Sequence, residues 1–372
     1  MNPNQLNVLR ASLTVVLIVA GFLAAEMVTR VALFGFDALA HPLRYSPRPN
    51  TLTDLAATNA DPVLTYRLNP GASGYFKGRR FSVNDDGFRG TPLAAPKPAG
   101  VFRIASLGAS ITMGAGVADQ EVYSAALAEL LNGVAPGRFQ VINASVGGYS
   151  ARQIAALYDQ HVAMYRPDLV LFPVFYSGYQ ALDDAVPVSY PPLRSFFPAR
   201  TDLRGYLLDS FLYQGLREMA RNWLGSRLSV DWPVRGRTVP PAPPTTADEL
   251  AKFVAQRHAE GIPVCLLVLH RINEEPPQSD AQYRRRIEDW VRAHPGSCLI
   301  DTVPALRGKV GIDDRVYWGD NHPNARIHRL YAEEILRELT NAGLLPGDRP
   351  GHAATPASTP GSGASPHDSP RN

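Results

Sequence analysis

Five short, almost wholly apolar runs, separated by longer segments with helical spacing, constrain this chain more than any other feature. The runs cover residues 102–107, 139–143, 168–175, 262–269 and 298–301. A strand that is apolar along its length, rather than at alternate positions, is one buried on both faces, as in a parallel sheet. Apolar spacing over residues 122–131 predicts one connecting helix, and Ser150 can cap another running to about residue 165. Further helices are expected over 246–258 and 280–293, with a last one after residue 324. Strands separated by helices of about 10 to 15 residues imply βαβ units with right-handed crossovers. The expected fold is therefore α/β, a three-layer α/β/α, flavodoxin-like parallel sheet.

In such sheets ligands bind at the carboxyl ends of the strands. The first run ends in Gly108-Ala109-Ser110, a turn that breaks the strand just before a helical segment and leaves Ser110 at that rim. Far along the chain, Trp318-Gly319-Asp320-Asn321-His322-Pro323-Asn324 supplies an acid and an imidazole two residues apart, on a loop leading into the final helix. A serine hydroxyl is a poor nucleophile near neutral pH; it needs a base in hydrogen-bond reach, and the base needs a partner that fixes its tautomer. Ser110, His322 and Asp320 can fill those three roles.

These two blocks resemble the SGNH, or GDSL-like, serine hydrolases. The family's first block, Gly-Asp-Ser-x-Thr-x-Gly, is matched by Gly108-Ala109-Ser110-Ile111-Thr112-Met113-Gly114, with Ala109 in place of the acid. Its last block joins Asp and His, here with one residue between them rather than the usual two. The resemblance covers residues 102–339 and implies an ester hydrolase that works through a Ser110 acyl-enzyme without a cofactor or metal. It also implies an oxyanion hole made from the Ser110 N–H and a second-block donor. That block reads Asn143-Ala144-Ser145-Val146-Gly147-Gly148, placing Ser145 where the family has glycine, with Gly147 or Gly148 as a further candidate. The family's third donor, an asparagine after the 168–175 run, is missing; Ser177 stands near its place. Each donor aimed at a developing oxyanion is worth about 2.7 to 4 kcal/mol. The departure leaves three readings: an esterase, an O-acyltransferase using the same serine, or a non-catalytic polysaccharide binding or assembly factor on the same fold. An acylated small molecule or polysaccharide, plausibly O-acetylated, is the expected substrate on family analogy.

The first 36 residues carry a different message. Arg10 and Glu26 bracket the uncharged apolar run 11–25, which is short for a spanning helix of about 20 residues but extendable on both sides. An uncleaved transmembrane anchor is expected, with a signal peptide as the rival, although Leu23-Ala24-Ala25 is a poor cleavage exit. Either way the catalytic body is exported, to the periplasmic or extracellular side. Residues 37–100 read as a polar, proline-punctuated tether followed by a collar of one or two hairpins, closed by Asn84-Asp85-Asp86-Gly87-Phe88-Arg89. That collar is either a cap at the mouth of the site or a structural ring. The hydrolase-like domain spans 101–345, with an aromatic and proline-rich insertion over 181–245 that is a substrate-shaping lid or a helical decoration. Residues 346–372 have a disordered composition.

Other signals are weaker. The net charge of +3 comes with no Lys/Arg run longer than the three arginines 284–286, so nucleic acid is not indicated. Cys265 and Cys298, each inside an apolar run, read as buried thiols rather than a disulfide, since nothing in the sequence places them within bridging distance. Asp183-Asp184 reads as a solvated acidic turn, and Gly114-Ala115-Gly116 lacks the rest of a phosphate loop. His270 and Arg271 are either pocket lining or ordinary loop residues.

Overall fold

A computed structural model describes residues 2–41, 45, 55–174, 210–228, 246–270, 272, 280–317 and 320–346. The chain begins with a 32-residue helix, α1 (Pro3–Phe34), started by an Asn2 cap. At about 1.5 Å per residue it spans roughly 48 Å, longer than the roughly 30 Å hydrocarbon core of a bilayer. Its apolar stretch is exposed throughout, and only Glu26 and Thr29, near its end, are buried. β1 (Ala56–Thr58) then pairs antiparallel with β2 (Tyr66–Leu68), and β3 (Ser73–Phe76) with β4 (Arg79–Ser82). The reading of residues 41–60 as a tether is corrected for residues 55–60. Leu55 and Ala56 are buried in the core, and β1 gains its order from β2, a partner that local composition does not reveal.

The central sheet follows as β5 (Phe102–Gly108), β6 (Phe139–Ser145), β7 (Leu169–Val174), β8 (Val264–Val268) and β9 (Ser297–Asp301), all parallel, in the order β6-β5-β7-β8-β9. This is the doubly wound, flavodoxin-like order, with a switch point at β5. Successive residues of each strand enter opposite faces, and both faces are apolar. On one, Ala105, Leu107, Val170, Phe172, Val264 and Leu266 pack beneath Ile154, Phe253 and Ile287. On the other, Ile104, Leu169, Leu171 and Leu267 meet Leu127, Tyr331 and Ile335. Burying one such side chain is worth about 1.5 to 3 kcal/mol, so the double burial accounts for the mainly apolar runs.

The covering helices are α3 (Tyr123–Val134), α4 (Ala151–Leu157), α6 (Thr246–Ala259), α7 (Asp280–Ala293) and α8 (Ala325–Asn341); the short α2 (Ser110–Met113) and the outlying α5 (Phe211–Leu228) complete the set used below. Ser150 caps α4, its Oγ accepting from the Gln153 N–H at 3.4 Å while Gln153 Oε1 accepts from the Ser150 N–H at 3.0 Å. Beyond α4 the chain continues as a π turn and a 3-10 turn to Tyr165. A two-stranded antiparallel ribbon, β10 (Arg315–Tyr317) with β11 (Asp320–Pro323), leads into α8. The predicted loop carrying the acid and the imidazole is thus a strand, held by a partner three residues earlier.

Cys265 and Cys298 form a disulfide, which corrects their reading as free thiols. They are directly opposed on β8 and β9 with Cα atoms 4.3 Å apart. Only the strand order makes them neighbours, and strand order is not written in either run. Within the 181–245 insertion, 211–228 is helical and Ser210 precedes it; 181–209 and 229–245, with Asp183 and Asp184, lie outside the described residues, as do Arg271 and residues 347–372.

Candidate active site

Ser110 stands where the strand-turn-helix reading expects it, as the first residue of α2, two positions after β5 ends. Gly108 has φ +159° and a Cβ there would lie 2.2 Å from Thr112 Oγ1, so only glycine permits so tight a turn into the helix. Ser110 is half-buried, its N–H is among the first-turn donors that α2 leaves unpaired, and among the described residues its Oγ makes no hydrogen bond within the protein.

The end of α2 is secured from the collar. Arg89, fully buried, donates from Nη1 to the Met113 and Gly114 carbonyls at 2.5 and 2.6 Å, and from Nη2 to that of Val117 at 2.6 Å. The Gly114 carbonyl also accepts from the Val117 N–H at 3.2 Å, so one guanidinium gathers the carbonyls at the end of the Ser110 turn. Burial pulls the Arg89 pKa down to about 10 against the opposing pull of Asp119, 3.1 Å away, and the group stays charged. Its motif explains its placement. Asn84 Oδ1 accepts from the Asp86 and Phe88 N–H groups, Gly87 takes φ +84°, and the chain reverses to aim Arg89 inward.

The second-block residues line the other side of the same turn. Asn143 donates from Nδ2 to the Thr112 carbonyl and to Ser124 Oγ, each at 2.9 Å, and accepts from the Ser145 hydroxyl. Val146 N–H donates to the Gly108 carbonyl at 3.1 Å, so strand alternation turns the preceding N–H, that of Ser145, to the opposite side. Gly147 directs its N–H at Met113 Sδ, 3.3 Å away, and its carbonyl accepts from the Tyr66 hydroxyl at 2.7 Å. Ser177 lies outside the described residues. His270 is buried at the end of β8 with its N–H on Thr302 Oγ1 and its carbonyl accepting from the Tyr331 hydroxyl.

On β11, Asp320 Oδ1 lies 2.5 Å from His322 Nδ1 and accepts from the His322 N–H at 2.9 Å. That strand packs against α2, so the fold brings the acid, the imidazole and the serine-bearing turn to one rim of the sheet although 210 positions separate the first from the last. Asp320 is buried, His322 half-buried. The Tyr317 hydroxyl, opposite Asp320 in the ribbon, also hydrogen-bonds the carboxylate. Burial drives Tyr317 well above its ordinary value, and the neighbouring negative charge adds to this, so it remains a donor.

Sequence reasoning missed Lys77. It comes from the β3–β4 turn, is itself buried, and its Nζ donates to Asp320 Oδ2 while lying 3.1 Å from His322 Nδ1. Burial would raise the Asp320 pKa, but the charges of Lys77 first and His322 second outweigh it and hold the carboxyl well below the usual carboxylate range. The available signal was turn chemistry. A two-residue hairpin loop of type I′ puts φ > 0 at both positions and favours Asn-Gly or Asp-Gly, yet here it reads Lys77-Gly78, at +51° and +77°. Behind it, His328 on α8 is fully buried, accepts from the Tyr123 N–H at Nδ1 and is kept neutral by burial, with a pKa lowered to about 3.

No family model matches the chain, and no curated protein does. Among solved structures it is similar, over 64% of its length and 94% of the other chain, to an acetylxylan esterase from Geobacillus stearothermophilus, at 18% identity and a TM-score of 0.38. Over the same share of its length and 97% of the other chain it is similar to a lipase from a goat rumen metagenome, at 16% identity and a TM-score of 0.36.

Proposed function

We propose that this chain is a serine ester hydrolase of the SGNH type, with Ser110 as nucleophile, His322 as general base and Asp320 as the group that orients it. The observation that carries the reading is the 2.5 Å contact of Asp320 Oδ1 with His322 Nδ1 on a strand packed against the Ser110 turn. With Nδ1–H given to Asp320, the basic lone pair lies on Nε2, which takes the Ser110 proton as Oγ attacks the acyl carbon. The tetrahedral oxyanion would be met by the Ser110 N–H at the start of α2, with the Ser145 N–H as second donor. Collapse breaks the bond to the leaving alkoxide, which receives the proton from His322. Water, deprotonated by the same imidazole, then releases the acid and frees Ser110.

The cellular setting belongs to the same proposal. α1 serves as an uncleaved anchor, and the body works outside the cytoplasm on ester-linked acyl groups, O-acetyl on a polysaccharide being the favoured substrate. Support comes from the Cys265–Cys298 disulfide, since such bonds persist mainly in oxidising compartments. The test is fluorophosphonate labelling of the full-length chain in detergent. Labelling of wild type and none of Ser110→Ala or His322→Ala is expected, together with hydrolysis of p-nitrophenyl acetate. Equal labelling of Ser110→Ala and wild type would discard the assignment.

A further inference from the structure

We propose that Lys77 is the positioning residue of this site: placed between Asp320 and His322, it sets which tautomer and charge state the imidazole adopts. The inference rests on the reading of His322 as the base.

Three observations show that the placement is built. A lysine is almost never fully buried without a partner, and Lys77 is 6% exposed with its ammonium on the Asp320 carboxylate. Its backbone takes φ +51°, a region that L residues enter reluctantly, in a turn where Asn or Asp would be easier. The turn is also braced from outside. A Cβ on Gly78 would lie 2.8 Å from Tyr45 and 2.9 Å from Phe34, so the last residue of α1 and a tyrosine beyond it close directly over the Lys77-Gly78 turn. Phe34 also meets Phe211 at 5.0 Å and Tyr317 at 6.3 Å between ring centroids, tying the same cluster to β10.

The consequence lies in the proton at Nδ1. A ring nitrogen either donates or accepts, so His322 Nδ1 can bind Asp320 Oδ1 as N–H or receive a Lys77 proton through its lone pair, never both at once. The first arrangement puts the basic lone pair on Nε2. The second moves the ring proton to Nε2 and blocks it. Lys77 therefore does two things. It cancels part of the Asp320 charge that would otherwise favour the imidazolium, and it holds Asp320 so that Oδ1 stays on Nδ1. The other titratable and charged groups around His322 are Tyr317 on β10, hydrogen-bonded to Asp320, and the neutral His328 on α8, with Arg89 of the collar beyond it.

The test is the titration of His322 followed by NMR of the Cε1–H and ring nitrogens in the full-length chain in detergent, its signal assigned by loss in His322→Gln. Lys77→Met removes a cation 3.1 Å from Nδ1, so the midpoint is expected to rise by about 1 to 3 pH units. The acid limb of kcat/KM for p-nitrophenyl acetate should move with it, and Lys77→Arg should restore both to within about half a unit. Should Lys77→Met not fold, Lys77→Gln, which keeps a donor for Asp320 and drops the charge, carries the same reading. A His322 midpoint that stays within about 0.3 units of wild type in the folded neutral variant overturns the proposal. The NMR readout needs no turnover. A wild type that fluorophosphonate does not label would remove the esterase reading, while the His322 midpoint would still decide the role of Lys77.

Discussion

The two halves of the candidate site are held by opposite means. The Ser110 turn is fixed by neutral acceptors converging on a buried cation, with Arg89 gathering the carbonyls of Met113, Gly114 and Val117 while Asn143 binds that of Thr112. The base is fixed by charge on charge, with Asp320 taking Lys77, Tyr317 and His322 together. Both cations come from the hairpin collar, which therefore reaches both halves of the candidate site. The difference teaches that damage to the first half should appear as lost stability, whereas damage to the second should appear as lost or displaced activity.

Asp320→Asn tests the second half most severely. The amide retains the shape but can neither select the Nδ1–H tautomer nor stabilise an imidazolium, and kcat should fall about 10³- to 10⁴-fold with circular dichroism unchanged. An unaltered rate would break the contrast at once. Arg89→Met tests the first half. It leaves buried carbonyls unmet and should cost about 3 to 5 kcal/mol in denaturant unfolding, more than any change in the turnover of the folded fraction. Removing the disulfide by Cys265→Ala with Cys298→Ala, which touches neither half, should cost about 2 to 4 kcal/mol and spare kcat, so it calibrates how far stability alone affects rate.

His328 sharpens the comparison, because it packs behind both halves. Its folded pKa, about 3, lies below the unfolded value of 6.5, so the unfolded chain binds more protons between them. The stability it contributes is complete above pH 6.5 and is lost as pH falls through 3. His328→Leu should flatten the acid side of the stability-pH curve without moving the kcat/KM limb assigned to His322. The smallest effect is expected from Ser145→Ala, which removes one hydroxyl donor to Asn143, costs about 1 kcal/mol and leaves the backbone N–H in place.

Much of the sheet was legible because its signals are local. The five apolar runs became five parallel strands, and the Ser150 cap and the helix over 280–293 lie where the sequence puts them. Ser110 was legible for the same reason: a Gly-Ala-Ser turn after an apolar strand has few alternatives. β1 was not, because its burial depends on β2, and the pairing of Cys265 with Cys298 was not, because each run is equally compatible with any neighbour. Lys77 was hidden deeper still. Its chemistry comes from residues 243 and 245 positions away, and alone it reads as a solvated turn lysine.

The sequence alone determined the layers, the strand ends and the residue types available for acyl chemistry, since periodicity and turn propensity act over a few neighbouring residues. Tertiary structure alone decided that the collar supplies both buried cations and that a lysine stands beside the acid and the imidazole. The physical reason is that burial and Coulomb energy depend on distances through space, and a buried charge takes its meaning from partners that no local stretch contains.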